Sequence, residues 1–232
     1  FGGENEFTIS HFGGRKFFNH IMHNYFKQYI KAVSQPLPEM ADYFEKENDY
    51  LKNLVTSNSL VLDVGCGNGR TMKSLAPYVK KAVGIDYDPK MMEAARANLA
   101  GISNIELLQK DFFETEYNQD FDLIFALYSL LGSAETKPED RKRLLQKMAK
   151  HTKPGGHVVA SAWSVSGIDF AKSYYPYIGV NVLKIENNNV VTDQGIFKRF
   201  LKQDLEDLAE GIGRSFKIIE LTNLFYLLDF VI

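Results

Sequence analysis

The sequence predicts an α/β protein whose parallel sheet is covered by helices on both faces. Two observations carry that reading. From Leu60 to Trp163, short apolar, β-branched runs alternate with helical periodicities, and strand–helix–strand repeats close as a parallel sheet. The first strand then enters Gly65-Cys66-Gly67-Asn68-Gly69, with glycines on alternate positions, a turn that a residue with a Cβ follows with difficulty. A strand, a glycine turn and a helix together bring backbone close to a ligand at a helix N-terminus.

Each element has its own signal. Residues 1 to 14 hold Gly2, Gly3, Gly13 and Gly14 and read as a loose entry. From Arg15 onward, Phe18, Met22, Tyr25, Tyr29 and Val33 recur at helical spacing until Pro36 and Pro38. A second helix places Met40, Tyr43, Phe44, Leu51 and Leu54 on one side, with Glu45, Lys46, Glu47 and Asp49 toward water. Strands follow at Leu60 to Val64, Lys81 to Asp86, Ile105 to Gln109, Phe121 to Leu127 and His157 to Trp163. Asp88-Pro89 is a cap with proline at the first helical position, and that helix runs to Gly101. Pro138 to Lys150 is an amphipathic helix, the lysines and arginines from Lys137 to Lys153 look like a solvated helix face, and Lys153-Pro154-Gly155-Gly156 reads as a turn. Val182 to Thr192 reads as a hairpin around Asn187-Asn188-Asn189, and Leu201 to Ala209 as a helix. Phe216 to Leu221 and Phe225 to Val231 read as an antiparallel closing pair.

Composition narrows the classes. With 45% hydrophobic residues in 232, the chain can bury a full core, which argues against global disorder. A net charge of -2 gives no sign of nucleic-acid binding. Cys66 is the single cysteine, which excludes an internal disulfide and a cysteine-based zinc site and fits a reducing, cytoplasmic setting. No apolar run is long enough to span a membrane. The first residue is Phe1, so the natural start is expected upstream, with room for a removed targeting segment.

The glycine turn has three readings. A triphosphate loop needs Lys and Ser or Thr after its last glycine, and Arg70-Thr71 stands there instead. A dinucleotide turn needs its third glycine one position later than Gly69. The third reading is an adenosyl ligand without phosphates. Asp86 at the tip of the second strand can accept both ribose hydroxyl protons, and Lys110-Asp111-Phe112 at the third tip offers an acid and an aromatic for a base.

Five stretches in order then resemble the successive motifs of the class I S-adenosylmethionine-dependent methyltransferases. They are Asp63 to Gly69, Gly84 to Asp88, Gln109 to Phe112, Phe121 to Ile124 and Lys153 to Gly156. The resemblance implies a Rossmann-like, doubly wound, seven-stranded sheet, mostly parallel with the last strand inserted antiparallel. It implies that S-adenosyl-L-methionine is the cofactor. The turn residues Asp63, Gly65, Cys66, Gly67 and Gly69 would hold its methionine part, and Asp86 with Tyr87 its ribose. Asp111, Phe112 and Met91 would meet adenine, and Ala126, Leu127 and Tyr128 would lie beside the sulfonium. Ala126-Leu127-Tyr128-Ser129 lacks the Asn/Asp-Pro-Pro-Tyr/Phe pattern of enzymes that methylate planar amide or exocyclic amino nitrogens.

Residues 1–56 are expected to form a helical lid, with Arg15 and Tyr25 or Tyr29 meeting the cofactor carboxylate. Residues 57–232 would form the cofactor domain, with a substrate-side insertion around 164–200. Tyr174-Tyr175-Pro176-Tyr177 would wall the acceptor pocket, and Trp163 is either its floor or a core aromatic. His20, His23, Tyr128 and Tyr174 are candidates for a general base. Asp63 is either a ligand contact or a cap of the turn, and Cys66 is read as a small residue in a tight loop. A metal is not expected. The expected reaction is methyl transfer to N or O of a small molecule. The alternatives are an RNA or protein methyltransferase, a cofactor-binding protein without turnover and, more remotely, a nicotinamide oxidoreductase. The acceptor and the oligomeric state are not legible.

Overall fold

The computed structural model describes residues 26–128, 130–133 and 138–232. Helix α1 covers residues 26–34 and helix α2 Pro38–Lys52. Five strands and three helices follow: β1 (Leu60–Val64), α3 (Arg70–Leu75), β2 (Lys81–Asp86), α4 (Pro89–Asn98), β3 (Ile105–Gln109), β4 (Phe121–Ala126), α5 (Pro138–Lys150) and β5 (Thr152–Trp163). Helix α6 (Ala171–Tyr177) leads into a small sheet of β6 (Val182–Glu186), β7 (Asn189–Thr192) and β8 (Gly195–Lys198). Helix α7 (Lys202–Glu210), β9 (Ser215–Thr222) and β10 (Phe225–Val231) close the main sheet.

That sheet has seven strands in the order β3-β2-β1-β4-β5-β10-β9. β1 to β5 are parallel, and β10 lies antiparallel between β5 and β9. The expected architecture is therefore present, including the antiparallel closing pair. Strand order reverses between β1 and β4, and the carboxyl ends beside such a reversal form the ligand crevice of open α/β sheets.

Strand alternation splits the core between the two faces. Val61, Ala82 and Leu123 pack with Met72, Leu75, Met92 and Ala95 of α3 and α4. Leu62, Val83 and Ile124 face the other way, toward Leu144, Leu145 and Met148 of α5 and Leu205 of α7. A third cluster joins α2 to the insertion through Tyr43, Phe44, Trp163, Tyr174, Tyr175 and Phe225. α4 starts where the sequence places it, because Asp88 Oδ1 accepts the Lys90 N–H at 2.8 Å with Pro89 at the first turn.

Four expectations need correction. The excursion after α6 is a three-stranded sheet, because β8 adds to the hairpin. The hairpin turns on Asn187 and Asn188, both at positive φ (48° and 60°), which asparagine tolerates in two-residue turns. Lys153 to Gly156 form an irregularity inside β5, where the pairing shifts from Phe121–Thr152 to Leu123–His157. Glu47 does not face water: it is fully buried. Nor is Lys147 on α5 a solvated charge, since its Nζ donates to Phe113 O at 3.0 Å and Thr115 O at 2.7 Å. Among the described residues no helix is long and apolar enough to cross a membrane.

Gly84 of β2 is needed for close packing of α3. A Cβ there would stand 2.4 Å from Met72 Sδ and 2.9 Å from Cys66 Sγ. Gly84→Ala is expected to cost about 1–3 kcal/mol, the usual range for overpacking. Urea denaturation checks this, and Cys66→Ala in the same chain should recover part of the loss.

Candidate cofactor and acceptor site

The glycine turn leaves β1 with Gly65, Gly67 and Gly69 all left-handed, at φ 71°, 54° and 74°. Its backbone donors are directed onto the neighbouring strand. Gly65 and Cys66 N–H donate to Ile85 O at 2.8 and 3.1 Å, and Gly67 N–H donates to Asp86 Oδ2 at 2.9 Å. The other Asp86 oxygen accepts the Asp88 N–H at 2.9 Å. Asp86 therefore caps the turn, and Asp63 does not. Burial pushes the carboxyl of Asp86 up despite these bonds, and it pushes Asp63 well up, with Glu47 and Asp86 adding to the effect and Arg70 opposing it. Burial also raises the Cys66 thiol, so Cys66 stays protonated, as its reading as a small loop residue requires.

The first helical residue after the turn, Arg70, runs back under α2. Its Nη2 pairs with Glu47 Oε2, and Tyr43 donates to the other Glu47 oxygen. The guanidinium carbon lies 4.1 Å over the Phe44 ring. Arg70 Nη1 is buried without a hydrogen-bond partner among the described residues. Burial is the main reason that the Tyr43 hydroxyl is pushed well up, with Glu47 adding to it. The sequence signal for this triad was the spacing of Tyr43 and Glu47, one helical turn apart on the apolar face of α2.

Tyr29 of α1 lies over the turn. A Cβ on Gly67 would meet its hydroxyl at 2.5 Å, and the hydroxyl donates to Asn68 Oδ1 at 3.3 Å. At the tip of β4, Tyr128 adopts φ 52°, an uncommon conformation for an aromatic residue. Its hydroxyl hydrogen-bonds the Tyr174 hydroxyl of α6. The Tyr128 ring contacts Tyr29 and Phe44 edge-on, with centroids at 5.7 and 5.5 Å. The β1, β4 and α6 candidates thus meet at one end of the sheet.

The remaining candidates divide. Ala126, Leu127 and Met91 are buried, and Tyr87 is half exposed. Asp111 is exposed and its Oδ1 accepts the Phe113 N–H at 2.6 Å. Phe112 is buried against Phe113 and Tyr117. Arg15, His20, His23 and Tyr25 lie outside the described residues. Among the described residues there is no group of three His, Cys, Asp or Glu side chains that can hold a metal ion.

The comparisons agree with this geometry. Residues 61–156 match the family model of the methyltransferase domain. Two curated relatives are a demethylmenaquinone methyltransferase of Clavibacter sepedonicus and a carboxy-S-adenosyl-L-methionine synthase of Shewanella loihica. The first is 23% identical over 154 residues, covering 61% of this chain and 61% of the relative. The second is 25% identical over 136 residues, covering 56% and 54%. The chain thus spans less than two-thirds of the length of either. In fold, the chain is similar to an S-adenosylmethionine-dependent methyltransferase from Clostridium acetobutylicum, with a TM-score of 0.64 at 17% identity, covering 92% of this chain and 99% of that one. The protein has the class I methyltransferase fold. Within it, residues 61–156 match the methyltransferase-domain family model, in line with the motif resemblance.

Two predictions follow the buried charges. Removing one partner of a buried ion pair strands the other, so Glu47→Ala is expected to cost about 3–5 kcal/mol in urea denaturation. Glu47→Met with Arg70→Met should recover most of that loss. Asp63 has its pKa raised on folding, so the native state is penalised for its charge above that raised value. The penalty fades as pH falls toward the ordinary carboxyl range. Asp63→Asn should therefore raise the Tm of the ligand-free protein most near neutral pH, with the gain shrinking on acidification. A Tm series in pH checks it, and a gain that grows on acidification contradicts the assignment.

Proposed function

We infer that the protein is an enzyme transferring a methyl group from S-adenosyl-L-methionine to a nitrogen or oxygen atom of a small-molecule acceptor. The observation that carries this reading is the alignment of three neighbouring strand tips. The glycine turn of β1, Asp86 of β2 and Lys110-Asp111-Phe112 after β3 stand side by side at the carboxyl ends of three neighbouring strands.

The residues present fit the cofactor. Only a glycine at position 67 lets the Tyr29 ring cover the turn, since a Cβ there would clash with it, and Arg70 Nη1 and Asp63 are buried groups of opposite charge near that turn. In this reading Arg70 meets the carboxylate of the methionine part, Tyr29 supports it, and Asp63 meets the ammonium group. Asp86 keeps its two backbone bonds and accepts ribose hydroxyls on remaining lone pairs, since each carboxylate oxygen can accept two donors. Tyr87 borders the ribose, and Met91, Asp111 and Phe112 line the adenine end. When bound, the cofactor supplies an electrophilic methyl group on a sulfonium, so the protein's part is position, orientation and exclusion of water.

Ala126 and Leu127 provide a dry wall beside the reacting centre. Tyr128 and Tyr174 share a hydrogen bond there; where the acceptor must lose a proton, a hydroxyl of the pair accepts it in a hydrogen bond and takes it over as the pair passes one of its own protons to solvent. Residues 1–56 serve as the lid and 57–232 as the cofactor domain, with the insertion around 164–200 on the acceptor side. The relatives' names cover different chemistries, a demethylmenaquinone methyl transfer and a carboxy-S-adenosylmethionine synthesis, so they do not assign the acceptor.

Calorimetric titration with S-adenosylhomocysteine tests the assignment. Binding is expected, with no heat from NAD. Asp86→Ala should weaken S-adenosylhomocysteine by roughly 1–3 kcal/mol, or about 5- to 150-fold, through lost charge-assisted hydrogen bonds. No heat with S-adenosylhomocysteine would sink the cofactor reading. Methyl incorporation only into bulk tRNA, against a metabolite panel, would sink the small-molecule reading.

A further inference from the structure

Arg199 is the largest fully buried side chain among the described residues, at 0% exposure. It follows β8, and the backbone around it is fixed at both ends. Arg199 N–H donates to Asn188 O and Phe200 N–H to Trp163 O, each at 2.7 Å. The inserted sheet therefore carries this residue to the end of β5. There its guanidinium carbon lies 4.3 Å from the centroid of the Trp163 ring and 5.5 Å from that of Tyr175.

Its hydrogen bonding is incomplete. Nη2 donates to the Tyr175 hydroxyl at 3.3 Å, a long bond. Nε and Nη1 are buried with no partner among the described residues. A guanidinium stays charged and carries five N–H donors. Aromatic faces offset the charge in part but do not replace the missing acceptors. Acids of the insertion are engaged elsewhere: Glu186 with Lys184 and Asp193 with Asn181. Arg70, the other buried arginine near the site, has Glu47. Arg199 has no such carboxylate among the described residues.

Its place connects it to the reacting edge. The Trp163 ring lies 5.4 Å from the Tyr174 ring, and the Tyr174 hydroxyl holds Tyr128 at the tip of β4. One aromatic cluster thus joins the guanidinium to the strand end where methyl transfer is assigned.

We propose that Arg199 anchors the methyl acceptor, and that the acceptor carries an oxyanion, a carboxylate or a phosphate-type group, which takes Nη2 together with Nε or Nη1, the two donors without a partner among the described residues. This rests on the methyltransferase reading of the same site. The anion displaces only the weak bond to Tyr175. It brings its own charge to a cation that is already desolvated, and a neutral acceptor leaves the donors unmet. Arg199 is then a specificity residue, and the insertion β6–β8 exists in part to deliver it.

The test uses the full chain, with and without saturating S-adenosylhomocysteine, and reads Tm at constant ionic strength. The probes are sodium benzoate and sodium methylphosphonate, with benzamide as the neutral match. Ligands that bind only the native state raise Tm. At least one anion is expected to raise Tm and benzamide is not. Arg199→Gln should abolish the rise, and Arg199→Lys should keep part of it, since lysine retains charge without the planar donor set. Tyr175→Phe, which removes the competing hydroxyl, should lower the half-effect concentration of the anion severalfold. This second variant decides the matter if Arg199→Gln does not fold. No anion effect in the natural chain overturns the proposal. So does an equal effect in Arg199→Gln, an equal effect of benzamide, or no gain in Tyr175→Phe. Failure of S-adenosylhomocysteine to bind is read in the same series and overturns the cofactor assignment instead.

Discussion

The hydrogen bond from Gly67 N–H to the Asp86 carboxylate holds the site together. It ties the turn after β1 to the tip of β2, and it keeps three left-handed glycines in one conformation. Without a fixed partner, such a turn would sample many states, because glycine has the most freedom to lose. With it, Gly69 starts α3 at a set point and Arg70 emerges toward α2. The Asp86–Asp88 bond then sets the start of α4 from the same carboxylate. One acid thus orients the turn and the two helices that flank it.

Burial of charge is the second theme. Asp63, Glu47, Arg70 and Arg199 are all largely removed from water around one end of the sheet. Folding alone would favour apolar residues there, since a buried ion pair seldom beats a well-packed hydrophobic replacement. Glu47 and Arg70 satisfy each other in part, whereas Nη1 of Arg70 and two donors of Arg199 are left over among the described residues. Unmet polar groups of this kind call for an explanation, and the proposed cofactor and acceptor supply one.

Much of the fold was legible because its signals are local. Strands β1, β2 and β3 are short apolar runs bounded by turn residues, and their limits in the structure coincide with those read from the sequence. Asp88-Pro89 announced α4 through cap chemistry. What failed depended on pairings that no single stretch declares. Glu47 looks like a surface acid on a helix, and the charge that pairs with it inside the fold, Arg70, lies 23 residues on. β8 is four residues long and has too few alternations to declare itself without β7 beside it. Arg199 carried no motif at all: its meaning comes from Trp163 and Tyr175, which the topology brings to it. For the site, the turn and Asp86 were visible as spacing. Asp111 was visible as a residue type, but its carboxylate serves its own turn.

The position of β10 has a consequence for how the molecule is made. It is the latest of the strands along the chain, yet it sits inside the sheet, between β5 and β9. Its seven residues pair across to β5, more than sixty residues earlier for the Phe225–Trp163 pair, as well as to β9. Until Phe225–Val231 leave the ribosome, β5 has an open edge facing β10's place, and the buried faces of Leu227, Leu228 and Phe230 have nothing to cover. Native packing of this half therefore waits for the end of the described chain. The glycine turn with β1, β2 and β3 can form earlier, since these strands pair with partners little more than twenty residues away. The strands that carry the glycine turn are thus made well before the strand that fills the other half of the sheet.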